Sequence, residues 1–134
     1  MSALLKSIPN VTNEVYIYEC EMNTSQFSTL IHTASHIETV EIVRCKINGD
    51  DEFDFTNDKP YHIKQLSLLK NGGKDYSDWS VNKQQFINIL KAISNTTLKH
   101  SLEQIGIWNC QITKEEGQTY ANELGLNHIK VIDN

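Results

Sequence analysis

The chain has 134 residues, of which 39% are hydrophobic, and this length and composition fit one domain with a modest core. Seventeen acidic residues against twelve basic ones give a net charge of −5. This balance argues against nucleic acid as a partner, because a phosphate backbone requires a basic surface. No apolar run approaches the roughly 18 residues of a membrane helix, and the N-terminus lacks a secretory signal. We therefore expect an intracellular protein without membrane insertion, with the cytoplasm as the default compartment.

One apolar pattern occurs four times along the chain, and each copy begins with a predicted strand. Within each strand, buried residues alternate with outward-facing ones, which is the period of a sheet with one covered face. The copies read Thr12-x-x-Val15-x-Ile17-x-x-Cys20-x-Met22, Ile37-x-x-Val40-x-Ile42-x-x-Cys45-x-Ile47, Ile63-x-x-Leu66-x-Leu68-x-x-Asn71 and Leu102-x-x-Ile105-x-Ile107-x-x-Cys110-x-Ile112. A fifth copy begins at Ile129 and is cut short by the end of the sequence.

Apolar stripes with helical spacing follow three of the strands. Their residues recur at i, i+3, i+4 and i+7, the spacing that puts side chains on one face of a helix. The stripes are Phe27, Leu30, Ile31 and Ala34; Phe86, Ile89, Leu90 and Ile93; and Gly117, Tyr120, Ala121 and Leu124. Thr113 with Glu116, and more loosely Asn23 with Gln26, predict capping boxes at two helix starts.

Two segments depart from this alternation. After the second strand, residues 48–61 contain no helical stripe, and we expect an irregular segment whose Phe53 and Phe55 face the core. The third copy is longer than the others by about a dozen residues, which predicts a loop-like insertion at about 71–80 containing Tyr76 and Trp79.

The repeated spacing resembles the leucine-rich repeat consensus L-x-x-L-x-L-x-x-N/C-x-L, and the copies with cysteine look most like the ribonuclease-inhibitor-like subfamily. The resemblance covers nearly the whole chain from Thr12 onward. It implies an α/β fold, namely a solenoid with a curved parallel sheet and helices on the convex side. Residues 1–134 would form one such domain, with repeats starting near 12, 37, 63 and 102 and a partial one at 129. Because solenoid ends need polar caps, we expect either a fragment of a longer array or ends covered by neighbouring subunits.

The residues that could carry chemistry also fit structural roles. Cys20, Cys45 and Cys110 share one column of the repeat, which favours reduced, inward-facing thiols over a zinc site or a nucleophile. His32 and His36 lie at i and i+4 and could share a metal ion, but no third ligand follows at a defined spacing. The acidic residues between positions 50 and 58 do not follow the calcium-loop pattern. We therefore expect no catalytic residue, cofactor or metal, and no enzyme activity.

The open face of the strands is the remaining candidate for function. One residue of each strand, next to the second buried position, forms an apolar column across the sheet, because adjacent strands lie about 4.8 Å apart. This column contains Tyr18, Val43, Leu69 and Trp108, and the column two residues earlier begins with Tyr16 and Glu41. A contiguous apolar surface of this kind marks an interaction site, with Tyr and Trp as the strongest contributors. In the alternative interpretation, the insertion at 71–80 folds over the column.

These features favour a non-catalytic protein–protein interaction module, or a structural subunit of a larger assembly, that binds a protein partner through the concave strand face. The alternative is a recognition or regulatory arm of an enzyme complex, such as a ubiquitin-ligase adaptor. Repeat architecture does not identify the partner, because solenoids host many unrelated functions.

Overall fold

Parallel strands form the main sheet of this protein. The computed structural model describes residues 13–49, 51–69, 81–108 and 112–133, without the side chains of Leu69 and Trp108. The sheet contains β1 (Glu14–Tyr18), β3 (Thr39–Val43), β5 (Gln65–Leu69), β6 (Gln104–Trp108) and β7 (Lys130–Asp133), in the spatial order β1-β3-β5-β6-β7. The short strands β2 (Glu21–Asn23) and β4 (Lys46–Asn48) pair in parallel in a second sheet, which the repeat pattern did not predict.

The strands pair in the register that the repeat alignment predicts. Val15 lies opposite Val40, Val40 opposite Leu66 and Leu66 opposite Ile105, and a second column joins Ile17, Ile42, Leu68 and Ile107. All of these side chains are buried in one hydrophobic cluster. The predicted α/β class, the parallel pairing in sequence order and the burial of the two inward columns are therefore confirmed. Val131 of β7 continues the first column opposite Ile105.

Helices connect the strands at the three positions that the apolar stripes predict. They are α1 (Thr24–Thr33), α2 (Lys83–Ser94) and α4 (Lys114–Glu123), and the short helix α3 (Leu98–Ser101) lies between α2 and β6. Most stripe residues belong to the same buried cluster as the strand columns, and Tyr120 and Leu124 pack partly buried against it, so the helices cover that face of the sheet.

Each of the three long helices begins with a complete capping box. The boxes at Asn23 and Thr113 were predicted, and Asn82 with Gln85 forms a third. In each box a side chain accepts a hydrogen bond from the third helical residue, whose own side chain accepts from the cap backbone, so that two otherwise unpaired N–H groups are satisfied. The Gln85 side chain also donates to the carbonyl oxygens of Ile47 and Gly49, which ties α2 to the segment after β4.

Aromatic side chains replace a helix after β4. The part of residues 48–61 that is described contains no helix, as predicted, and Phe53 and Phe55 are buried. Phe27 of α1 contacts both rings, edge-on to Phe53 with centroids 5.3 Å apart and tilted to Phe55 at 6.1 Å. Tyr61 donates a hydrogen bond of 2.6 Å to the Phe55 carbonyl oxygen. The buried side chains of Phe53, Phe55 and Tyr61 therefore contribute to the core in a segment where the other copies have a helix.

Cysteine thiols satisfy backbone groups where β1 and β3 end. Glu19 and Arg44, directly before the two cysteines, have left-handed φ values of 53° and 52°, which turn the chain sharply. The Cys45 thiol lies 3.4 Å from the Ile17 carbonyl oxygen and 3.5 Å from the Cys20 amide nitrogen. Cys45 is buried and Cys20 is half-buried, so both are structural thiols as predicted, while Cys110 and the predicted insertion at 71–80 lie outside the described residues.

Glycine in the first slot of the last stripe has a packing reason. A Cβ atom at Gly117 would lie 3.0 Å from Val131 Cγ1 and 3.3 Å from Phe86 Cε1. Both distances are shorter than ordinary van der Waals contacts, so a larger residue would require the side chains of Val131 and Phe86 to shift by a few tenths of an ångström.

Shortening a side chain in either buried column should lower the stability of the fold. We expect Ile42→Ala and Ile107→Ala each to lower the free energy of unfolding by about 2–5 kcal/mol, through lost burial and the cavity that remains. Chemical denaturation of the full chain measures this loss. The exposed Glu123→Ala on α4 is the control, and it should change stability by no more than about 0.5 kcal/mol. Equal unfolding midpoints for Ile42→Ala and the control would place Ile42 outside the core.

The buried thiol should resist modification. Burial raises the pKa of Cys45 to about 11, because the charged thiolate loses hydration, and only the thiolate is reactive. We expect a bulky maleimide to modify Cys20 well before Cys45 at pH 7–8, as followed by peptide mass spectrometry. In denaturant the two rates should become similar, whereas fast labelling of Cys45 in the folded chain would contradict its inward position.

Candidate protein-interaction surface

An exposed pair of tyrosines marks the open face of β1. Tyr16 and Tyr18 alternate with the buried Val15 and Ile17, so their side chains point away from the core. They are 44% and 58% exposed, and no other large hydrophobic residue in the described ranges is exposed. Their rings are nearly parallel, at 21°, with centroids 6.5 Å apart. Such a pair presents a large aromatic surface on the outermost of the described strands at this end of the sheet.

Two carboxylates flank the tyrosine pair. Glu14 lies on the same face of β1, where its carboxylate accepts a hydrogen bond from the Tyr16 hydroxyl. Glu41 of β3 is directly opposite Tyr16 in the register of the sheet and is partly buried. We call Glu14, Tyr16, Tyr18 and Glu41 the β1 patch. The sequence interpretation missed Glu14, although the same alternation that selects Tyr16 and Tyr18 also selects residue 14.

The environment of the β1 patch raises the pKa values of two of its side chains, Tyr16 and Glu41. The hydrogen bond to Glu14 is the main cause that raises the pKa of Tyr16 to about 12, since ionised Tyr16 would stand beside a carboxylate. Burial, and then the charge of Glu14, raise the pKa of Glu41 above its usual range. The described cation closest in sequence to the β1 patch is Arg44, whose guanidinium forms a 3.2 Å ion pair with Glu19. In the described ranges, the ion pairs do not involve Glu14 or Glu41.

The predicted apolar column is interrupted at its second member. Val43 is only 3% exposed, so the expectation of an exposed side chain is wrong at this position. β3 lies between β1 and β5, and Val43 is flanked in register by Tyr18 and Leu69, whereas of the described strands β1 pairs only with β3. An inner strand leaves less of a short side chain exposed than an edge strand does. Ser67 and Gly106, further along the open face, are also buried.

For Leu69 and Trp108, the last two residues of the predicted apolar column, the structure describes only the backbone. Leu69 ends β5 and Trp108 ends β6, and the two are paired in register, as the column predicts. Their side chains, and the insertion that would cover the column in the alternative interpretation, lie outside the described residues. The structure thus brings Tyr16, Tyr18 and Glu41 together across β1 and β3, with Val43 beside Tyr18 on β3 and the backbones of Leu69 and Trp108 next in register on β5 and β6.

Near the C-terminal end of α1, His32 and His36 do not form a metal site with other described residues. His32 and His36 line a pocket with Thr33, Ser35, Asn57 and Lys59. This pocket contains neither carboxylate nor thiol, and a search of the described ranges finds no group of three metal-ligating side chains. His32 lies in the last turn of α1, and His36 follows the end of this helix. In the same ranges, no helix is long and apolar enough to cross a membrane.

The contact between Glu14 and Tyr16 can be tested by titration. We expect the folded chain, labelled at the tyrosine ring carbons, to show an NMR titration of Tyr16 near pH 12. Glu14→Gln should lower this pKa towards 10, because the neutral amide does not repel the phenolate. The pKa of Tyr16 is higher in the folded chain than in the unfolded chain, so protonated Tyr16 stabilises the fold below pH 10. This stabilisation is lost as the pH rises from 10 towards 12. A Tyr16 pKa unaffected by Glu14→Gln would exclude the contact in solution.

Comparison of this chain with protein-family models, with curated proteins and with solved structures finds no significant match.

Proposed function

We propose that this chain is a leucine-rich-repeat solenoid that serves as a non-catalytic interaction module or structural subunit of a larger assembly. It binds a protein partner through the open face of its strands, with the β1 patch as the accessible part of that face. Two features support the repeat assignment: the residue-for-residue register of the strand columns, and the identical turns before Cys20 and Cys45.

The exposure of Tyr16 and Tyr18 is the observation that carries the binding proposal. Tyrosine is enriched among residues that dominate binding energy, because it contributes a large contact area with few rotatable bonds. An exposed pair on a rigid strand loses little conformational entropy when a partner covers it. The buried Val15 and Ile17 anchor in the core the strand from which both rings project.

Site-directed crosslinking tests the binding proposal. We expect a photoreactive phenylalanine analogue at position 18 of the full chain to give one dominant protein adduct in an extract of the source cells. The same analogue at the exposed Thr119 of α4 is the matched control and should not give this adduct. Unlabelled wild-type chain should suppress the adduct by competition.

The competitor carrying Tyr18→Ala should be about 30-fold weaker than wild type, which corresponds to the loss of about 2 kcal/mol at a hot spot. Its unfolding midpoint must remain close to wild type, as expected for an exposed side chain. Identical adducts at positions 18 and 119, or equal competition by wild type and Tyr18→Ala, would refute binding through this face.

A further inference from the structure

The β1 patch combines two features that recognise cations. The faces of aromatic rings carry negative electrostatic potential and attract cationic groups within about 6 Å of the ring centroid. Tyr16 and Tyr18 expose two nearly parallel rings with centroids 6.5 Å apart, so a single cationic group can lie within about 6 Å of both centroids. Glu14 and Glu41 add carboxylate oxygens beside the same rings.

This negative potential is not neutralised by the described part of the chain. In the ion pairs of the described ranges, Arg44, Lys64 and Lys83 contact Glu19, Glu38 and Glu116, and not Glu14 or Glu41. The hydrogen bond to Glu14 is the main cause of the raised pKa of Tyr16 and burial is the main cause of the raised pKa of Glu41, and the negative charge of Glu14 contributes to both. A bound cation would offset this negative charge, and the net charge of −5 would favour its approach.

Beyond the β1 patch, the open face of the described strands carries no acidic side chain, and its one charged residue is Lys130 on β7, at the opposite end of the strand order. Gln65 and Ser67 of β5 hydrogen-bond to each other, and Gln104 and Gly106 of β6 follow in register. The acidic charge of the described open face is thus concentrated on β1 and β3, which restricts where a basic group would dock.

Resting on the function proposed above, we infer that the β1 patch recognises an arginine side chain in an extended segment of the partner protein. The guanidinium lies against the Tyr16 and Tyr18 rings, and its N–H groups donate to the carboxylate of Glu41. Arginine fits better than lysine, because its planar guanidinium stacks on aromatic faces and donates to a carboxylate in a fixed fork.

Binding of a blocked peptide to the full chain tests this inference. The probe is N-acetyl-Gly-Ser-Arg-Ser-Gly-amide, and the control peptide has citrulline, a neutral and nearly isosteric residue, in place of arginine. NMR at low salt, where exposed charges are weakly screened, follows the ring signals of Tyr16 and Tyr18. We expect saturable shifts with the arginine peptide and binding at least about tenfold weaker with the citrulline peptide, because the charge is lost.

Variants of the chain distinguish the contribution of the Glu41 charge to peptide binding from that of the Tyr18 ring. Glu41→Gln should weaken peptide binding, whereas Glu123→Gln, the same change of charge on α4, should not. Tyr18→Leu should weaken binding about two- to fivefold, and Tyr18→Phe, which keeps the ring, should retain it. Unfolding midpoints close to wild type establish that these variants are folded.

The two proposals fail in different ways. If the adduct at position 18 forms and Glu41→Gln competes as well as wild type, the chain binds a partner there without the arginine contact, and this inference is wrong. Equal binding of the arginine and citrulline peptides would also overturn it. If no specific adduct forms at position 18, the interaction surface itself is refuted.

Discussion

Residue-for-residue pairing of parallel strands is the constraint on which the rest of this structure depends. One buried column crosses the whole sheet and contains Val15, Val40, Leu66, Ile105 and Val131. Each strand must therefore place its apolar residue at the same position along the sheet. A shift by one residue would turn a whole strand inside out, since side chains alternate between faces. The turns at Glu19 and Arg44 and the thiol of Cys45 keep successive copies in this register.

Variation between copies is confined to the layer that covers the sheet. Where the second copy lacks a helix, Phe53 and Phe55 pack on Phe27 and keep the core closed. Gln85 anchors α2 to the backbone after β4, so the helix of one copy is positioned by the irregular segment of another. The sheet therefore remains regular while its covering layer changes.

The β1 patch follows from the same register. Pairing of β1 with β3 sets Tyr16 beside Glu41, and alternation along β1 sets Glu14 beside Tyr16. The position of the strand in the sheet then decides exposure, because Tyr18 on β1 remains open while Val43 on the inner strand β3 is buried. The proposed recognition of a basic segment rests on this combination of exposed aromatic rings and carboxylates.

The strand columns, the three long helices and the structural role of the cysteines could be predicted from the amino-acid sequence, because each rests on a local period that repeats along the chain. The sequence also indicated the tyrosine pair, and the Asn82 capping box was readable from its spacing, although it was missed. Only the tertiary structure decided the pairing of β2 with β4, the burial of Val43 and the electrostatics around Glu41. These depend on neighbours from other copies, so the period of a single copy does not contain them.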